Sequence, residues 1–207
     1  AESILAENPD MLYSDEVLLD ERMHTVLQYL HRPTFSPEYL RSHPYIVHMV
    51  GFRTALLRQL NGFNEQLDIS QDYDLILRAS EQSNTIVHIP EILYQWRAHS
   101  GSAGHSKMAQ VMDTSINILQ KHLDRLELNA KAAPDTSSFT YYHTHYRIPD
   151  TQRVAIIIPT KNHGALVRQC INSIRTTVQT VAYDIVLIDH ASTAPESIAY
   201  FETLKSS

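Results

Sequence analysis

Cysteine and glycine are scarce in this sequence of 207 residues, which contains one cysteine and five glycines. The lone Cys170 cannot form an internal disulfide, and its place in a helical pattern predicts a small buried thiol. With so few glycines the chain has no Gly-rich phosphate loop, which argues against a general nucleotide-binding regulator. The longest apolar run, residues 154–158, is too short to cross a bilayer, so no transmembrane segment is predicted.

Positive charge is scarce as well, because 17 lysines and arginines stand against 23 aspartates and glutamates, a net charge of -6. Such a net negative charge does not favour binding to the phosphate backbone of a nucleic acid, so we predict no nucleic-acid partner. The 12 histidines are scattered and lack the paired spacing of a structural zinc site. An apolar content of 43% supports a sizeable core, and the single cysteine favours a cytoplasmic location.

Short strands and helices are predicted to alternate over the first 127 residues. Extended segments are expected at 11–20, 45–53 and 85–99, and helical segments at 54–60, 70–82 and 107–127. Residues 31–44 are expected to be largely loop, with one helical turn that starts at Pro37. Ser36 and Ser70 are expected to cap the helices that follow them. Pro90 should interrupt its extended segment, since proline has no backbone N–H to donate.

The composition changes after residue 128. Residues 129–152 lose all helical period and gather Pro, Asp, Ser and Thr, which is typical of a linker between domains. Residues 153–207 then predict strand, helix, strand and helix, the opening of a parallel sheet whose strands are buried on both faces.

Two segments of this last part carry a family resemblance. VAIIIPTKN at 154–162 and YDIVLIDHAS at 183–192 give an apolar strand ending in Pro-Thr, a helix, and a strand ending in Asp. The order resembles the start of a family-2 inverting glycosyltransferase domain. The resemblance implies that Pro159, Thr160 and Asp189 bind the nucleotide of the donor, since ligands of open α/β sheets lie beyond the carboxyl ends of strands. Taken alone, Asp189 could equally cap a helix.

The first half resembles the later part of the same kind of domain. Four segments follow the family's order: YSDEVLLD at 13–20, FSPEYLRSHPYIVH at 35–48, GFNEQLDISQDYDLILR at 62–78 and HIPEILYQWRAHSGS at 88–102. The implied fold is α/β of the GT-A type, a Rossmann-like nucleotide-diphospho-sugar transferase, in two incomplete copies. Residues 1–128 would be the C-terminal, acceptor and metal half of a first domain, 129–152 a linker, and 153–207 the nucleotide-binding start of a second. Both ends of the sequence look cut, so an internal fragment of a tandem-domain enzyme, inactive by itself, is expected.

Asp72 falls where the family has an acidic residue at a helix start, and the resemblance makes it the general base. Inverting transfer needs one such base, because the acceptor hydroxyl attacks the anomeric carbon directly. Asp74 is expected only to complement the helix dipole. Trp96 is either a sugar-stacking wall or a plug in the core, and His48 is expected to be a packing residue.

Asp15 falls at the family's Asp-x-Asp motif, which holds Mn2+ or Mg2+ against the donor diphosphate. His99 falls where many members place a metal-binding histidine. The sequence departs from the motif at Val17, so Glu16 or Asp20 would have to supply the missing oxygen.

The implied reaction is inverting transfer of a hexose or deoxyhexose from a nucleotide-diphosphate sugar to a hydroxyl of a growing glycan. The acceptor would be a glycan or lipid-linked glycan in polysaccharide, O-antigen or similar cell-surface synthesis, handled in the cytoplasm, including the inner face of the membrane. The alternative is a non-catalytic module that binds carbohydrate or a partner enzyme, with Val17 marking a decayed metal site. A response of nucleoside diphosphate binding to Mn2+ would separate these two hypotheses.

Overall fold

The computed structural model describes residues 7–99, 107–149 and 151–205. It is mixed α/β with small sheets and divides into two compact units, residues 1–146 and 147–207. Within the described residues no helix combines the length and the apolar character needed to cross a membrane.

Unit 1 contains six strands and four helices among its described residues. They are β1 (Met11–Leu19), β2 (Val26–Leu30), α1 (Pro37–Ser42), β3 (Val50–Phe52), α2 (Thr54–Gln59), α3 (Gln71–Gln82), β4 (Ile86–Arg97), α4 (Met108–Arg125), β5 (Ala130–Pro134) and β6 (Tyr142–Tyr146). The helical and extended periods of the sequence therefore predict most of these elements, with bounds that differ by a few residues.

Strand β1 is the centre of the main sheet because it has neighbours on both sides. It runs parallel to β4 along its whole length, and its other side pairs antiparallel with β3 at Met11–Tyr13 and with β2 at Glu16–Leu19. The register with β4 shifts on both sides of Asp15. The first shift leaves Pro90 and Glu91 without a partner in β1, which agrees with the missing N–H of proline, and the second leaves Leu93 without one.

The core of unit 1 joins one face of β1 to helices α3 and α4. Its fully buried side chains recur at helical spacing on both helices, which is why the two helices pack with the sheet. They include Met11, Tyr13, Ile76, Leu77, Leu119 and Leu123.

Residues 130–146, expected to be part of a linker, instead form a β hairpin that belongs to unit 1. Strands β5 and β6 pair antiparallel, with Ala132 opposite Thr144. Ala132 and Tyr142 are buried in the same core as α3 and α4. The side chain of Gln120 on α4 accepts a hydrogen bond from the Ala132 N–H (2.9 Å) and donates one to the Ala130 carbonyl (3.2 Å). The loss of helical period after residue 128 therefore marks the change from helix α4 to strand β5.

The predicted strand at 45–53 is much shorter than expected. Only Val50–Phe52 pairs as a strand, while Tyr45 and Ile46 are buried in irregular backbone. The hydroxyl of Tyr45 accepts a hydrogen bond from the Ser36 N–H at 3.0 Å. The start of this apolar run therefore packs in the core and does not pair in the sheet.

One predicted helix cap is confirmed and the other is wrong. The hydroxyl of Ser36 accepts a hydrogen bond from the Tyr39 N–H (3.3 Å) and caps α1. Ser70 does precede α3, but its backbone is left-handed (φ 58°) and its side chain makes no capping bond. The usual cap has an extended backbone, and here the Ser70 oxygen instead accepts from the hydroxyl of Ser115 at 3.0 Å.

Unit 2 has the predicted order of strand, helix, strand and helix. Its elements are β7 (Arg153–Thr160), α5 (Gly164–Thr177), β8 (Ala182–Asp189) and α6 (Pro195–Leu204). The two strands are parallel, and Thr160 and Asp189 are paired at their carboxyl ends. Gly164 lets the two helices approach closely, because a Cβ there would lie 2.9 Å from the Cα of Ser197.

Two expectations of burial in unit 2 are wrong. One face of the strands packs on the helices through Ile158, Ile185 and Leu187, but the opposite face leaves Ile157 and Val186 exposed. The β-branched runs thus predict strands correctly without both faces being covered. Cys170 is exposed on α5, because the buried stripe of that helix is formed by Val167 and Ile171.

Candidate functional site

Unit 1 contains a cavity of about 470 Å³ at the start of α3. Its wall is assembled from β1, β2, β4, the start of α3, helix α4 and the β5–β6 hairpin. The lining residues that carry polar or aromatic groups are Gln28, Arg32, His43, Ser70, Asp72, Tyr73, Trp96, Ser115, Phe139, Thr140 and Tyr142. The volume lies within the range of about 300–1000 Å³ that is usual for small-molecule sites.

Asp72 lies in the first turn of α3 and is exposed to this cavity. Its Oδ1 accepts a hydrogen bond from the Tyr73 N–H at 2.8 Å, which fixes the carboxylate at the helix start. Within the described part of the chain, no group donates a hydrogen bond to its Oδ2. A carboxylate held by one oxygen and open at the other is suited to accept a proton from a bound hydroxyl.

Trp96, at the end of β4, is not a plug in the core. It is 37% exposed and lines the cavity that contains Asp72. Its ring meets that of His48 edge to face with centroids 5.3 Å apart, and His48 also contacts Tyr94, so the packing role expected for His48 is confirmed. Trp96 therefore offers an aromatic wall, the surface against which the apolar face of a sugar ring packs.

His43 is a further polar group of the wall, held between the hairpin and the cavity. Its Nδ1 lies 3.0 Å from the Thr140 carbonyl, and its ring stacks on Tyr141 with centroids 4.4 Å apart. Burial lowers the pKa of His43, and the Thr140 carbonyl opposes this only in part. Its imidazole is therefore neutral at pH 7, with Nδ1–H donating to the carbonyl.

Asp15 is buried in β1 and its carboxylate is fully engaged. Oδ2 lies 2.8 Å from His31 Nδ1, and Oδ1 lies 2.8 Å from His88 Nε2 and 2.9 Å from the Arg32 N–H. Burial raises the pKa of Asp15, but the Arg32 N–H and the two histidines outweigh burial, so the pKa lies below its ordinary value. Strand β1 continues beyond Asp15 to Leu19, so this carboxylate lies within the strand and not at its end.

The neighbouring Glu16 is completely buried and forms an ion pair with Arg32. Arg32 in turn lines the cavity that contains Asp72, so the two carboxylates of β1 are connected to this cavity through one residue. Asp20 takes part in a turn, where its Oδ1 accepts from the His24 and Thr25 N–H groups (2.7 and 3.1 Å). Arg32 thus engages one oxygen of Glu16 and the turn engages one oxygen of Asp20, while Glu16 Oε2 has no hydrogen-bond partner among the described residues.

His99 is exposed at the end of the described segment that follows β4. It borders an open depression formed with Met23, Tyr94 and Trp96. Among the described residues no group of three His, Cys, Asp or Glu side chains has an arrangement that could hold a metal ion. Both oxygens of Asp15 already accept hydrogen bonds, and the side chain of Val17 has no oxygen or nitrogen that could bind a metal. This arrangement therefore does not fit a formed divalent-cation site.

In unit 2 the three predicted donor residues lie together at the carboxyl ends of the parallel strands. Pro159 is paired with Ile188, and Thr160 with Asp189. Asp189 accepts hydrogen bonds from the backbone and hydroxyl of Ser192, so it ties down the loop after β8. These bonds lie within the loop and do not make Asp189 a helix cap, because Ala194 holds the capping position of α6 and no side chain makes a capping bond there.

The loops after β7 and β8 are joined through Asn162. Its side-chain oxygen accepts from the Thr193 and Ala194 N–H groups (2.8 and 2.9 Å), and its own N–H donates to the Ser192 hydroxyl (2.6 Å). A separate groove of about 540 Å³ lies along β8 and α6 and includes Asp189, but it is not lined by Pro159 or Thr160.

Sequence reasoning missed four residues of these sites: His31, Arg32, His88 and Tyr142. His31 and His88 meet Asp15 across 16 and 73 positions of the chain, so no local pattern announces them. Tyr142 lies in the stretch whose composition predicts a linker. The sequence signal for the partners of Asp15 was an acidic residue in an apolar strand, because a buried carboxylate needs hydrogen-bond donors.

Comparison with known proteins finds two curated relatives. The chain is 32% identical over 196 residues to the O-antigen biosynthesis protein RfbC of Myxococcus xanthus, an alignment that covers 93% of this chain and 15% of that protein. It is 29% identical over 213 residues to the uncharacterized protein y4gI of Sinorhizobium fredii, covering 99% of this chain and 23% of that protein. The chain thus spans less than a quarter of the length of these relatives. No protein-family model matches it.

Proposed function

We propose that this chain is part of an inverting glycosyltransferase that moves a sugar from a nucleotide-diphosphate donor to a hydroxyl of a growing glycan. The observation that carries the proposal is Asp72, an exposed carboxylate at a helix start that lines a cavity with an aromatic wall. Similarity to a protein named for O-antigen biosynthesis supports glycan synthesis. The family-2 and GT-A assignments rest on the ordered sequence motifs and remain part of the proposal.

In the proposed reaction Asp72 accepts the proton of the acceptor hydroxyl through its open Oδ2. The hydroxyl oxygen forms the new bond to the anomeric carbon of the donor while the bond to the diphosphate oxygen breaks on the opposite face. The electron pair of that bond leaves with the nucleoside diphosphate, and no covalent enzyme intermediate forms. The acceptor is a sugar hydroxyl of a glycan or lipid-linked glycan, whose ring packs on Trp96.

For unit 2 we propose that Pro159, Thr160 and Asp189 bind the base and ribose of a nucleotide. Support comes from their adjacent places at the carboxyl ends of two parallel strands, the edge at which α/β sheets bind ligands. Asp189 would then exchange its bond with Ser192 for one with a ribose hydroxyl.

A divalent cation, Mn2+ or Mg2+, with Asp15 and His99 among its ligands is a separate proposal that rests on the motif positions. A bound cation would neutralise charge on the departing diphosphate. Since the described side chains do not form such a site, no step of the reaction above is assigned to a metal.

The proposed activity is tested by nucleoside diphosphate release in the protein that carries this chain, with UDP-, dTDP- and GDP-hexoses as donors and glycan extracts as acceptors. Release that depends on the acceptor and is lost in Asp72→Asn supports the proposal. Acceptor-dependent release that persists unchanged in Asp72→Asn contradicts the assignment of the base.

The second candidate function is a non-catalytic module that binds carbohydrate or a partner enzyme. It is favoured by the engaged Asp15 and the apolar Val17, which together leave the motif without a free carboxylate pair. Calorimetric titration with UDP, with and without Mn2+, distinguishes the two: a decayed domain should show no response to the cation.

A further inference from the structure

The β5–β6 hairpin forms one wall of the cavity that contains Asp72. Phe139 and Thr140 in its turn region and Tyr142 at the start of β6 all line that cavity. His43 is bonded to the Thr140 carbonyl and stacked on Tyr141, which fixes the hairpin against the cavity. A segment that carries no recognised motif therefore contributes to the shape of the candidate site.

Tyr142 has an unusual position within this wall. Its side chain is buried, with 3% of the residue exposed, and its ring stacks on Tyr73 at a centroid distance of 5.8 Å. Among the described residues its hydroxyl has no hydrogen-bond partner. The Tyr73 hydroxyl, by contrast, donates to the Leu40 carbonyl at 2.9 Å. Because an unpaired buried polar group costs stability, the lone hydroxyl of Tyr142 requires an explanation.

The groups around Tyr142 keep its hydroxyl available as a donor. Burial raises the pKa of Tyr142, and the negative charge of Asp72 raises it further. The nearby Ser115 hydroxyl lowers the pKa of Tyr142. Its own proton, however, is donated to Ser70 Oγ at 3.0 Å, and it does not reach hydrogen-bond geometry with the Tyr142 hydroxyl. Tyr142 is therefore a buried, protonated phenol in the lining of the cavity that also contains Asp72.

We propose that the Tyr142 hydroxyl donates a hydrogen bond to a hydroxyl oxygen of a sugar ring bound in this cavity, so that the hairpin recognises the acceptor. The proposal rests on the function proposed above and names its acceptor as a terminal hexopyranose or deoxyhexopyranose. A sugar hydroxyl both donates and accepts, so it satisfies Tyr142 and Asp72, and the Trp96 ring covers the apolar face of the sugar.

The test compares Tyr142→Phe with wild type in the protein that carries this chain. Binding of methyl glucoside, methyl galactoside and methyl rhamnoside is measured by saturation-transfer NMR titration, and melting temperature by calorimetry. Tyr142→Phe should weaken binding of the preferred sugar roughly threefold to tenfold, the range expected for loss of one neutral hydrogen bond. Its melting temperature should stay the same or rise, because the change removes an unpaired buried group.

Tyr13→Phe is the matched control, since it removes a tyrosine hydroxyl that donates to the Pro33 carbonyl (2.6 Å) from a buried side chain that does not line this cavity. It should lower the melting temperature and leave sugar affinity unchanged. Equal affinities of wild type and Tyr142→Phe, or no binding of any of the three sugars to wild type, would overturn the inference. The outcome is separate from that of the transfer assay: a Tyr142-dependent sugar site without nucleotide release supports this inference and contradicts the proposed activity.

Discussion

Asp72 and Asp74 lie two residues apart in the first turn of α3 but have opposite environments. Asp72 is exposed to the cavity and bonded through one oxygen to the Tyr73 N–H. Asp74 is buried, and its Oδ2 lies 2.8 Å from Nε of Arg78 one turn later. Arg78 also donates to the Leu60 and Gly62 carbonyls, both at 2.9 Å. Asp74 therefore positions an arginine that binds the backbone just after α2. One carboxylate is available for chemistry and the other is structural.

Replacing Asp72 with asparagine should lower sugar transfer by roughly 10² to 10⁴, because the change keeps size and polarity but removes the base. Folding should be nearly unaffected, since the amide oxygen of the introduced side chain can still accept from the Tyr73 N–H. The measurement is initial rate of nucleoside diphosphate release at saturating acceptor, with melting temperature recorded in parallel.

Asp74→Asn is the control for that experiment. It should destabilise the protein by about 1 to 3 kcal/mol, the usual loss for a hydrogen bond to a charged group, while rate per folded molecule stays near wild type. Equal losses of rate in the two variants would mean that neither aspartate is the base.

Glu81 connects the end of α3 to α4 and should make stability depend on acid pH. Its carboxylate accepts from His122 Nδ1 (2.6 Å) and from Nε and Nη2 of Arg125 (2.8 and 2.6 Å). Burial raises the pKa of Glu81, but the His122 and Arg125 bonds outweigh it, so the folded-state pKa lies below the ordinary 4.5.

The stabilisation by Glu81 is therefore complete above about pH 4.5 and is lost as pH falls through the lower, folded-state pKa. We expect Glu81→Gln to reduce unfolding free energy at pH 7 by about 1 to 3 kcal/mol, and the difference from wild type to shrink on acidification. Urea unfolding between pH 3 and pH 7 measures this. A difference that stays constant across that range would contradict the assignment.

If Asp15 and His99 hold a cation, Asp15→Ala and His99→Ala should each raise the Mn2+ concentration for half-maximal transfer by roughly tenfold or more. Asp15→Ala also removes the acceptor of His31 and His88, so its melting temperature must be measured beside its metal dependence. Asp20→Asn is the matched acidic control, because Asp20 is bonded within its own turn. An unchanged Mn2+ requirement in both alanine variants would show the metal assignment to be wrong.

Limited proteolysis should cut first within residues 147–152 and leave the hairpin intact. Residues 147–149 are exposed and have no regular secondary structure, whereas 130–134 and 142–146 pair with each other and Ala132 is bonded to Gln120 of α4. Cleavage sites are identified by mass spectrometry of the fragments. Early cuts inside 130–134 or 142–146 would contradict the extended boundary of unit 1.

The sequence predicts helices and strands well where one period of apolar residues dominates. The stripe of α4 and the apolar runs of β7 and β8 are such cases, because a single buried face determines the residues. It fails for the hairpin, whose strands have five residues each and mix Ala, Lys, His and Thr. Those strands are stabilised by Gln120 and by the shared core, which are contacts that no local pattern contains.

The candidate site is predictable in part for the same reason. Asp72 is singled out by its place in a motif at a helix start, and in the structure it is exposed and lines the cavity. The partners of Asp15 could not be predicted, because β4 brings His88 beside β1 only through parallel pairing of distant segments. Val17 signals a departure from the motif, yet only the geometry shows that histidines and a backbone N–H occupy the carboxylate oxygens.

The uncovered face of β7 and β8 has a consequence for handling the chain in solution. Ile157, Val186 and Ile188 are exposed on neighbouring strands of high β propensity, the combination that promotes strand-to-strand aggregation. Pro159 interrupts this only at one end of β7, since it lacks an N–H. Colloidal stability of the chain by itself should therefore fall with protein concentration well below its melting temperature, and charged substitutions at Ile157 or Val186 should restore it.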